Sequence, residues 1–389
     1  MGTARDMTST QLASLSELRP AADLFGDVAT AYVDVSRTNE DAGREVEIRT
    51  DNLRRELLGA GADESLVEAV ATRIVEPTGH GGETSRVVVA HGDELVTDMV
   101  LASTVPDRQH HGPIAHLLEL ARAKAEDVRY ALVKIDHAGA DITVAGTVSP
   151  AQREMTSEGD HDELTKVKVG GWSQRRYQMR VEDSIERNAE TVAKDLDRLA
   201  GSERIDLVLL AGDTVSVASV RDQVGVRVSD RLEILEHGSR ADGASDDLLD
   251  EEVESAVQRC RSGRISSVLD RLGAGAKAIG VGETIEALRR GEVETLILLD
   301  GALDDRQGFA GPAPLLLATD PEELRSLGVE NPEADRLDEL LLRAALGQDA
   351  GLLPLHAPVG ALPDGVGAVL RFSTRPDVRP DAGPDGEDL

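Results

Sequence analysis

Residues 166–180 read KVKVGGWSQRRYQMR, and a segment of helical periodicity follows them directly. In this second segment, apolar residues recur at intervals of three or four positions: Val181, Ile185, Ala189, Val192, Leu196 and Leu199. This spacing predicts a long amphipathic helix. Residues 205–211, IDLVLLA, then form an apolar run that is typical of a strand buried on both faces. A buried strand after an amphipathic helix indicates an α/β fold.

The same alternation of amphipathic segments and apolar runs continues on both sides of this stretch. It predicts further strands at residues 31–35, 86–90, 94–101, 130–135, 141–144, 293–299 and 367–372. It predicts further helices at residues 41–58, 114–124, 248–272, 283–290 and 337–346. We expect a histidine-containing loop before residue 114, a polar and acidic segment at residues 149–165, and a glycine-rich loop at residues 273–282.

These elements group into three predicted units of the chain. We expect a mixed α/β N-terminal domain at residues 1–125, a central domain at residues 126–240 and a C-terminal domain at residues 248–374. Residues 375–389 are dominated by Pro, Gly and Asp, and their composition predicts a disordered acidic tail.

Composition limits the classes of protein that this chain can belong to. The 389 residues carry a formal net charge of −31, because 73 Asp and Glu outnumber 42 Lys and Arg. This charge disfavours DNA and anionic membranes as partners. The single cysteine, Cys260, excludes an intramolecular disulfide and a cysteine-cluster metal site. Since no apolar run approaches the roughly 18 residues of a membrane span, we expect a soluble, cytoplasmic protein.

Within this acidic chain, residues 166–180 carry five cations and no acid, together with the only tryptophan. A helix N-terminus already bears about half a positive charge, so cations at its start are unfavourable unless an anion binds them. Lys and Arg side chains would bind phosphates, and Trp172 could stack on a base, which indicates an RNA-contact loop. The alternative is a solvated loop neutralised by Glu158, Asp160, Asp162 and Glu163. Spacing alone leaves both interpretations open.

Three histidines, His110, His111 and His116, raise the question of a metal site. Adjacent histidines on a loop rarely direct both rings at one ion, and no carboxylate lies among these three in the sequence. The glycines at residues 273–282 match neither the full dinucleotide pattern nor the Walker pattern. The sequence therefore predicts no metal site and no cofactor.

Two motifs resemble those of a known family. Residues 170–177, GGWSQRRY, and the long helix after them resemble the central-domain loop and helix of the archaeo-eukaryotic peptide release factor and Pelota superfamily. Residues 283–298, ETIEALRRGEVETLIL, are similar to the helix, Gly, Val-Glu-Thr-Leu and strand signature of its C-terminal domain. The resemblance covers most of residues 125–372 and is closer to the bacterial branch of the superfamily, which includes Balon-like ribosome hibernation factors.

The resemblance implies a fold and a set of partners. It implies an RNase H-like central domain that enters the ribosomal A site and directs its loop at the rRNA of the peptidyl transferase centre of the 70S ribosome. It also implies a C-terminal αβα domain similar to kink-turn-binding ribosomal proteins, which would dock a translational GTPase such as elongation factor Tu. The RNA-binding residues would be Lys166, Lys168, Gly170, Gly171, Trp172, Ser173, Gln174, Arg175, Arg176, Tyr177 and Arg180.

One departure from the family pattern bears on activity. Release factors place a Gln directly after the two glycines, where it helps to admit water to the peptidyl ester, whereas Trp172 and Ser173 precede Gln174 here. Because reacting atoms must approach to about 3–3.5 Å, this displacement disfavours release activity. We therefore expect a stress-response factor that blocks idle ribosomes and is not an enzyme.

Two alternatives to hibernation stay open. Quality-control relatives that cleave peptidyl-tRNA also tolerate an insertion between the glycines and the Gln, so the protein could be a ribosome-dependent peptidyl-tRNA hydrolase or rescue factor that uses Gln174. The acidic composition also allows a stress adaptor that acts away from ribosomes.

Overall fold

The computed structural model describes residues 12–38, 41–149, 152–158, 173–238 and 246–372. Along these residues, helices alternate with strands that form three main sheets and one small sheet. The predicted mixed α/β fold is confirmed. None of the helices in the described ranges has both the length and the apolar content that a bilayer crossing requires.

The first sheet is antiparallel and lies within residues 28–112. Its elements and their neighbours are α1 (Arg19–Ala22), β1 (Val28–Asp34), α2 (Ala42–Gly59), α3 (Glu64–Val75), β2 (Ser85–His91), β3 (Glu94–Leu101), β4 (Arg108–Gly112) and α4 (Leu118–Glu126). The strand order is β3-β2-β1-β4. Strand β1 is buried on both faces, since Ala29 and Ala31 pack in one apolar core with residues of α2 and α3, and Val28 and Tyr32 belong to another.

Strand β4 corrects the prediction of a histidine-containing loop. Residues 108–112, RQHHG, pair with β1 along its outer edge. The strand has no apolar side chain, and none of its five residues is fully buried. An edge strand of this kind lacks the alternating apolar pattern by which strands are predicted.

The central sheet contains both parallel and antiparallel strands. Its elements are β5 (Arg129–Ile135), β6 (Gly139–Gly146), β7 (Arg153–Glu158), α5 (Ser173–Ser202), β8 (Leu207–Gly212), α6 (Thr214–Gln223), α7 (Val226–Ser229) and β9 (Leu232–Ile234). The strand order is β7-β6-β5-β8-β9, in which β5, β8 and β9 are parallel and β6 is antiparallel to both of its neighbours. Strand β7 lies inside the segment that was expected only to be polar and acidic, and it too is an edge strand.

Helix α8 (Asp246–Ala274) lies against both the central sheet and the sheet that follows. Strand β8 is buried on both faces as predicted, with Val208 and Leu210 in the core that contains α5 residues and Leu209 in the core that contains α8 residues. Near the other end of α8, Val268 and Leu272 pack with apolar residues of the C-terminal sheet. One continuous helix therefore connects two cores.

The C-terminal sheet is covered by helices on both faces. The remaining elements are β10 (Lys277–Ile279), α9 (Gly280–Arg289), β11 (Val293–Leu299), β12 (Gln307–Ala310), β13 (Leu317–Ala318), α10 (Pro321–Ser326), β14 (Glu333–Arg336), α11 (Leu337–Leu346), β15 (Gly351–Leu355) and β16 (Val366–Leu370). The main sheet has the order β10-β16-β11-β15, and β12, β13 and β14 form the small sheet. Residues of α9 and α11 pack on one face and residues of α8 on the other, which gives the predicted αβα layers. The expected loop at residues 273–282 instead contains the end of α8, strand β10 and the start of α9.

The first sheet and the C-terminal sheet share one apolar core. Val28, Tyr32 and Leu120 from the first sheet and α4 lie in the same cluster as Leu296 and Leu341 from β11 and α11. The predicted domain boundaries stay predictions, but the described residues show that the two ends of the chain are packed together.

Candidate functional site

Helix α5 begins at Ser173, within the basic segment itself. The residues predicted to bind RNA that lie on this helix are Ser173, Gln174, Arg175, Arg176, Tyr177 and Arg180. Those that lie outside the described residues are Lys166, Lys168, Gly170, Gly171 and Trp172. The first turn of α5 contains no acid, so its arginines and the positive end of the helix dipole have the same sign.

The later turns of α5 hold the helix on the central sheet. Ala189, Val192 and Leu196 are buried in the core with residues of β5 and β8. The amide of Asn188 donates a hydrogen bond to the carbonyl of His137, with the two atoms 2.8 Å apart. Because these turns are packed on the sheet, the position of the start of α5 depends on the central sheet.

A second cluster of polar side chains lies between the first sheet and the small sheet. His110 on β4, His116 just before α4 and Asp335 on β14 direct ligand atoms within 4.8 Å of one another. Nε2 of His116 is 2.8 Å from Oδ1 of Asp335, whereas Nε2 of His110 is 3.6 Å from Oδ2. The two imidazole rings are stacked, with centroids 3.3 Å apart and planes inclined by 10°.

Burial and charge shape the ionisation of this cluster. The carboxylate of Asp335 is 5% exposed. Burial opposes its ionisation, but the imidazoles of His110 and His116 outweigh that effect and hold the pKa of Asp335 well below its usual range. Burial lowers the pKa of His116, against the raising effect of Asp335. His116 is therefore neutral at neutral pH, and Asp335 is ionised.

The sequence predicts no metal site, but the structure brings a carboxylate to two of the three histidines. The expectation that the adjacent His110 and His111 would not converge is consistent with the structure, because Nε2 of His111 contacts Asp27 at 2.5 Å. The missing carboxylate is supplied by Asp335, which is 219 residues from His116 along the chain. No pattern in a single sequence connects residues at that separation.

Residues of the shared core border the same cluster. His110 and His116 line two clefts, one of about 680 Å³ that is also lined by Tyr32 and Glu339, and one that is also lined by Gly112 and Asp335. The carboxyl group of Glu339 accepts hydrogen bonds from the backbone N–H groups of Leu117 and Leu118 at 2.8 and 3.1 Å. Burial, with a smaller contribution from the charge of Asp338, raises the pKa of Glu339 to about 8.

The central sheet and its helices coincide with a region that matches a family model. Residues 129–277 match the family model of bacterial archaeo-eukaryotic release factor family 2. The resemblance to the bacterial branch of the release factor and Pelota superfamily is thereby confirmed. The match begins at the first residue of β5 and ends at the first residue of β10, so it includes both α5 and α8.

Similar proteins occur in Mycobacterium tuberculosis. Rv2629 of strain H37Rv and MT2704 of strain CDC 1551 are each 26% identical to this chain over 361 residues, which is 90% of this chain and 94% of the relative. Neither name states an activity.

Solved structures of Pelota proteins are also similar to the chain. A ribosome-bound archaeal Pelota has 12% identity and a TM-score of 0.39, covering 94% of this chain and 96% of that chain. Saccharomyces cerevisiae Dom34, a translation termination-like factor, has 9% identity and a TM-score of 0.38, covering 94% and 95%. These scores are too low to establish a common arrangement of the whole chains.

Proposed function

We propose that this protein is a ribosome-binding translation factor that occupies the A site and holds idle 70S ribosomes in a hibernating state. The observation that carries the proposal is the release factor family match across the central sheet and the helix that continues the basic segment. In this proposal the residues 166–180 lie against the rRNA of the peptidyl transferase centre, and the C-terminal αβα layers dock a translational GTPase, with elongation factor Tu as the candidate.

The electrostatics of the basic segment support an RNA partner over a solvated loop. The chain has a net charge of −31, so five cations without an acid in 15 residues are a marked local departure. Two of them, Arg175 and Arg176, lie in the first turn of α5, where the helix dipole is already positive. Phosphate groups at this helix end would satisfy the unpaired N–H groups and the arginines together.

The dependence of ribosome affinity on salt tests the phosphate contacts. We expect the triple variant Arg175→Ala, Arg176→Ala, Arg180→Ala to bind purified 70S ribosomes more weakly and to lower the magnitude of the log–log salt slope by about two units. The measurement is co-sedimentation or fluorescence anisotropy over a series of potassium concentrations, with the full chain in each case.

A matched variant on the same helix controls for the change in total charge. Arg187, Lys194 and Arg198 are exposed on later turns of α5, and replacing all three by Ala removes the same three charges. We expect this control to keep the wild-type slope. An equal slope for the wild type and both variants would exclude phosphate contacts by the basic segment.

The same complexes separate the alternatives to hibernation. Ribosomes that carry labelled peptidyl-tRNA should be occupied by the protein without release of the peptide. Release that is lost in Gln174→Ala would instead assign the protein as a peptidyl-tRNA hydrolase or rescue factor. A protein that remains in the ribosome-free fractions of gradients from starved cells would be a stress adaptor, and both ribosomal functions would then be wrong.

A further inference from the structure

We propose that His110, His116 and Asp335 form a binding site for a divalent transition-metal cation of the zinc type. The inference does not depend on the proposed ribosomal function. Within the described residues, Nε2 of His110 and Oδ2 of Asp335 are both buried and have no hydrogen-bond partner. Their separation of 3.6 Å is too long for a hydrogen bond between them. An imidazole nitrogen and a carboxylate oxygen, both of which can bind a metal ion, therefore lie close together in the interior without hydrogen bonds.

The distance from Nε2 of His110 to Oδ2 of Asp335 suits a small cation, whereas one of the two stacked imidazole rings has to rotate before both rings can direct a nitrogen lone pair at the same ion. Bonds of about 2.0–2.1 Å to a tetrahedral ion place two donor atoms roughly 3.3 Å apart. The separation between Nε2 of His110 and Oδ2 of Asp335, 3.6 Å, is close to that value. The 2.8 Å contact between Nε2 of His116 and Oδ1 is shorter, so the carboxylate has to turn slightly when the ion binds. The proton on Nε2 of His116 then moves to Nδ1 or to solvent.

A glycine leaves the space for the ion open. A Cβ atom at position 112 would lie 2.6 Å from Nε2 of His110 and 3.7 Å from Oδ2 of Asp335. Any other residue at the end of β4 would therefore place a carbon atom beside both unsatisfied ligand atoms. The backbone of Gly112 has no positive φ angle, so its conformation is not what requires a glycine there.

The surroundings of the cluster hold the ligands in place. The backbone N–H of His116 donates to Oγ1 of Thr30 at 3.1 Å, and its carbonyl accepts from the hydroxyl of Tyr32 at 3.0 Å. Both partners lie on β1, in the middle of the first sheet. The backbone N–H of Arg336 donates to Oδ1 of Asp335 at 2.7 Å. These contacts fix the backbone of His116 and one carboxylate oxygen of Asp335, so binding has to order only the imidazole rings.

The three ligands come from two parts of the molecule, which indicates what the ion would do. Two histidines belong to the first sheet and its connection to α4, and Asp335 belongs to the small sheet. A bound ion would join these parts, and the cleft that all three ligands line would admit water as a fourth ligand. Because only the folded chain brings the ligands together, binding stabilises the fold by mass action.

Zinc titration of the chelator-treated, tag-free full chain tests the site. We expect one equivalent of Zn²⁺ to bind in calorimetry and to raise the Tm, and Mg²⁺ to do neither, because two of the ligands are imidazoles. Co²⁺ in the same site should give the visible absorption of a four-coordinate ion. Gly112→Ala and His110→Ala should each weaken Zn²⁺ binding at least about tenfold.

Two controls keep the outcome decisive. His111→Gln changes the neighbouring histidine, whose ring contacts Asp27 and not Asp335, and should bind Zn²⁺ like the wild type. His110→Ala removes a ring that stacks on His116 and helps to keep Asp335 ionised, so its Zn²⁺ binding is compared at a temperature below its own Tm without metal. The site is wrong if the wild type binds no stoichiometric Zn²⁺, or if His110→Ala and Gly112→Ala bind it as well as the wild type does.

Discussion

Glu339 is a buried carboxyl group that connects the start of α11 to the start of α4. It lies at the start of α11 and is 6% exposed, yet it accepts hydrogen bonds from two N–H groups at the start of α4. Its raised pKa, about 8 against an ordinary 4.5, means that the folded chain holds the proton more tightly than the unfolded chain. The stabilising contribution of this proton is complete at low pH and is lost as the pH rises from about 4.5 to about 8.

Glu339→Gln should remove this dependence on pH. The amide keeps the size of the side chain and an oxygen acceptor for Leu117 and Leu118, but it does not ionise. Relative to the wild type, we expect the free energy of unfolding of the variant to rise by roughly 2–4 kcal/mol between about pH 5 and about pH 9. Urea unfolding at several pH values measures the difference, and a difference that is constant with pH contradicts the prediction.

Glu339→Leu separates the effect of the charge from that of the hydrogen bonds. It leaves the two N–H groups without their acceptor at every pH, so relative to Glu339→Gln, which also does not ionise, we expect a loss of about 2 kcal/mol that does not vary with pH.

Helix α8 is held on the central sheet by a buried arginine as well as by apolar contacts. Arg264 is 2% exposed, and its guanidinium donates to the carbonyl of Asp127 at 2.7 Å. It also lies 2.8 Å from the carboxylate of Asp206, which is 10% exposed. Asp127 and Asp206 precede β5 and β8, so a single side chain fixes the helix to the start of two parallel strands.

Arg264→Ala should lower the free energy of unfolding by about 3–5 kcal/mol, because it leaves Asp206 buried with fewer partners. Arg259→Ala is the matched control, since Arg259 is on the same helix and pairs with Glu233 at 2.6 Å while 58% exposed. We expect that control to change stability by less than about 1 kcal/mol. If chemical denaturation showed the same loss of free energy of unfolding for both variants, burial of the pair formed by Arg264 and Asp206 would have no effect on stability.

At the scale of the whole molecule, the shared core predicts that the first and C-terminal sheets unfold together. Leu341 on α11 is fully buried in the cluster that also contains Val87 and Val89 of β2. Leu341→Ala should cost about 2–5 kcal/mol and should lower hydrogen-exchange protection equally in β2 and β11. Protection in β5 should fall less, because the central sheet has its own cores. Unchanged protection in β2 would show that the first sheet unfolds independently.

Much of this architecture could be predicted from the sequence, and two of the strands that could not be predicted lie at sheet edges. Strands β8 and β11 were evident as apolar runs because both lie inside their sheets, and α11 was predicted at its observed residues 337–346. Strands β4 and β7 are edge strands with few buried positions, so no apolar pattern marks them. The cluster of His110, His116 and Asp335 was missed because folding alone brings its members together.

The candidate RNA-contact residues are a different case, because they were proposed from charge and from resemblance. The family match includes their positions, and the structure describes a helix from Ser173 onward. Their roles stay predictions until the ribosome-binding variants are measured.

The span of α8 across two cores has a mechanical consequence. At about 1.5 Å per residue, its 29 residues form a rod of roughly 43 Å that is clamped near both ends. The orientation of the central sheet relative to the C-terminal sheet therefore depends on α8, and the orientation of α5 depends on it as well. A substitution that bent α8 near its middle would therefore change the direction of α5 and move the arginines at its start, without disrupting any strand.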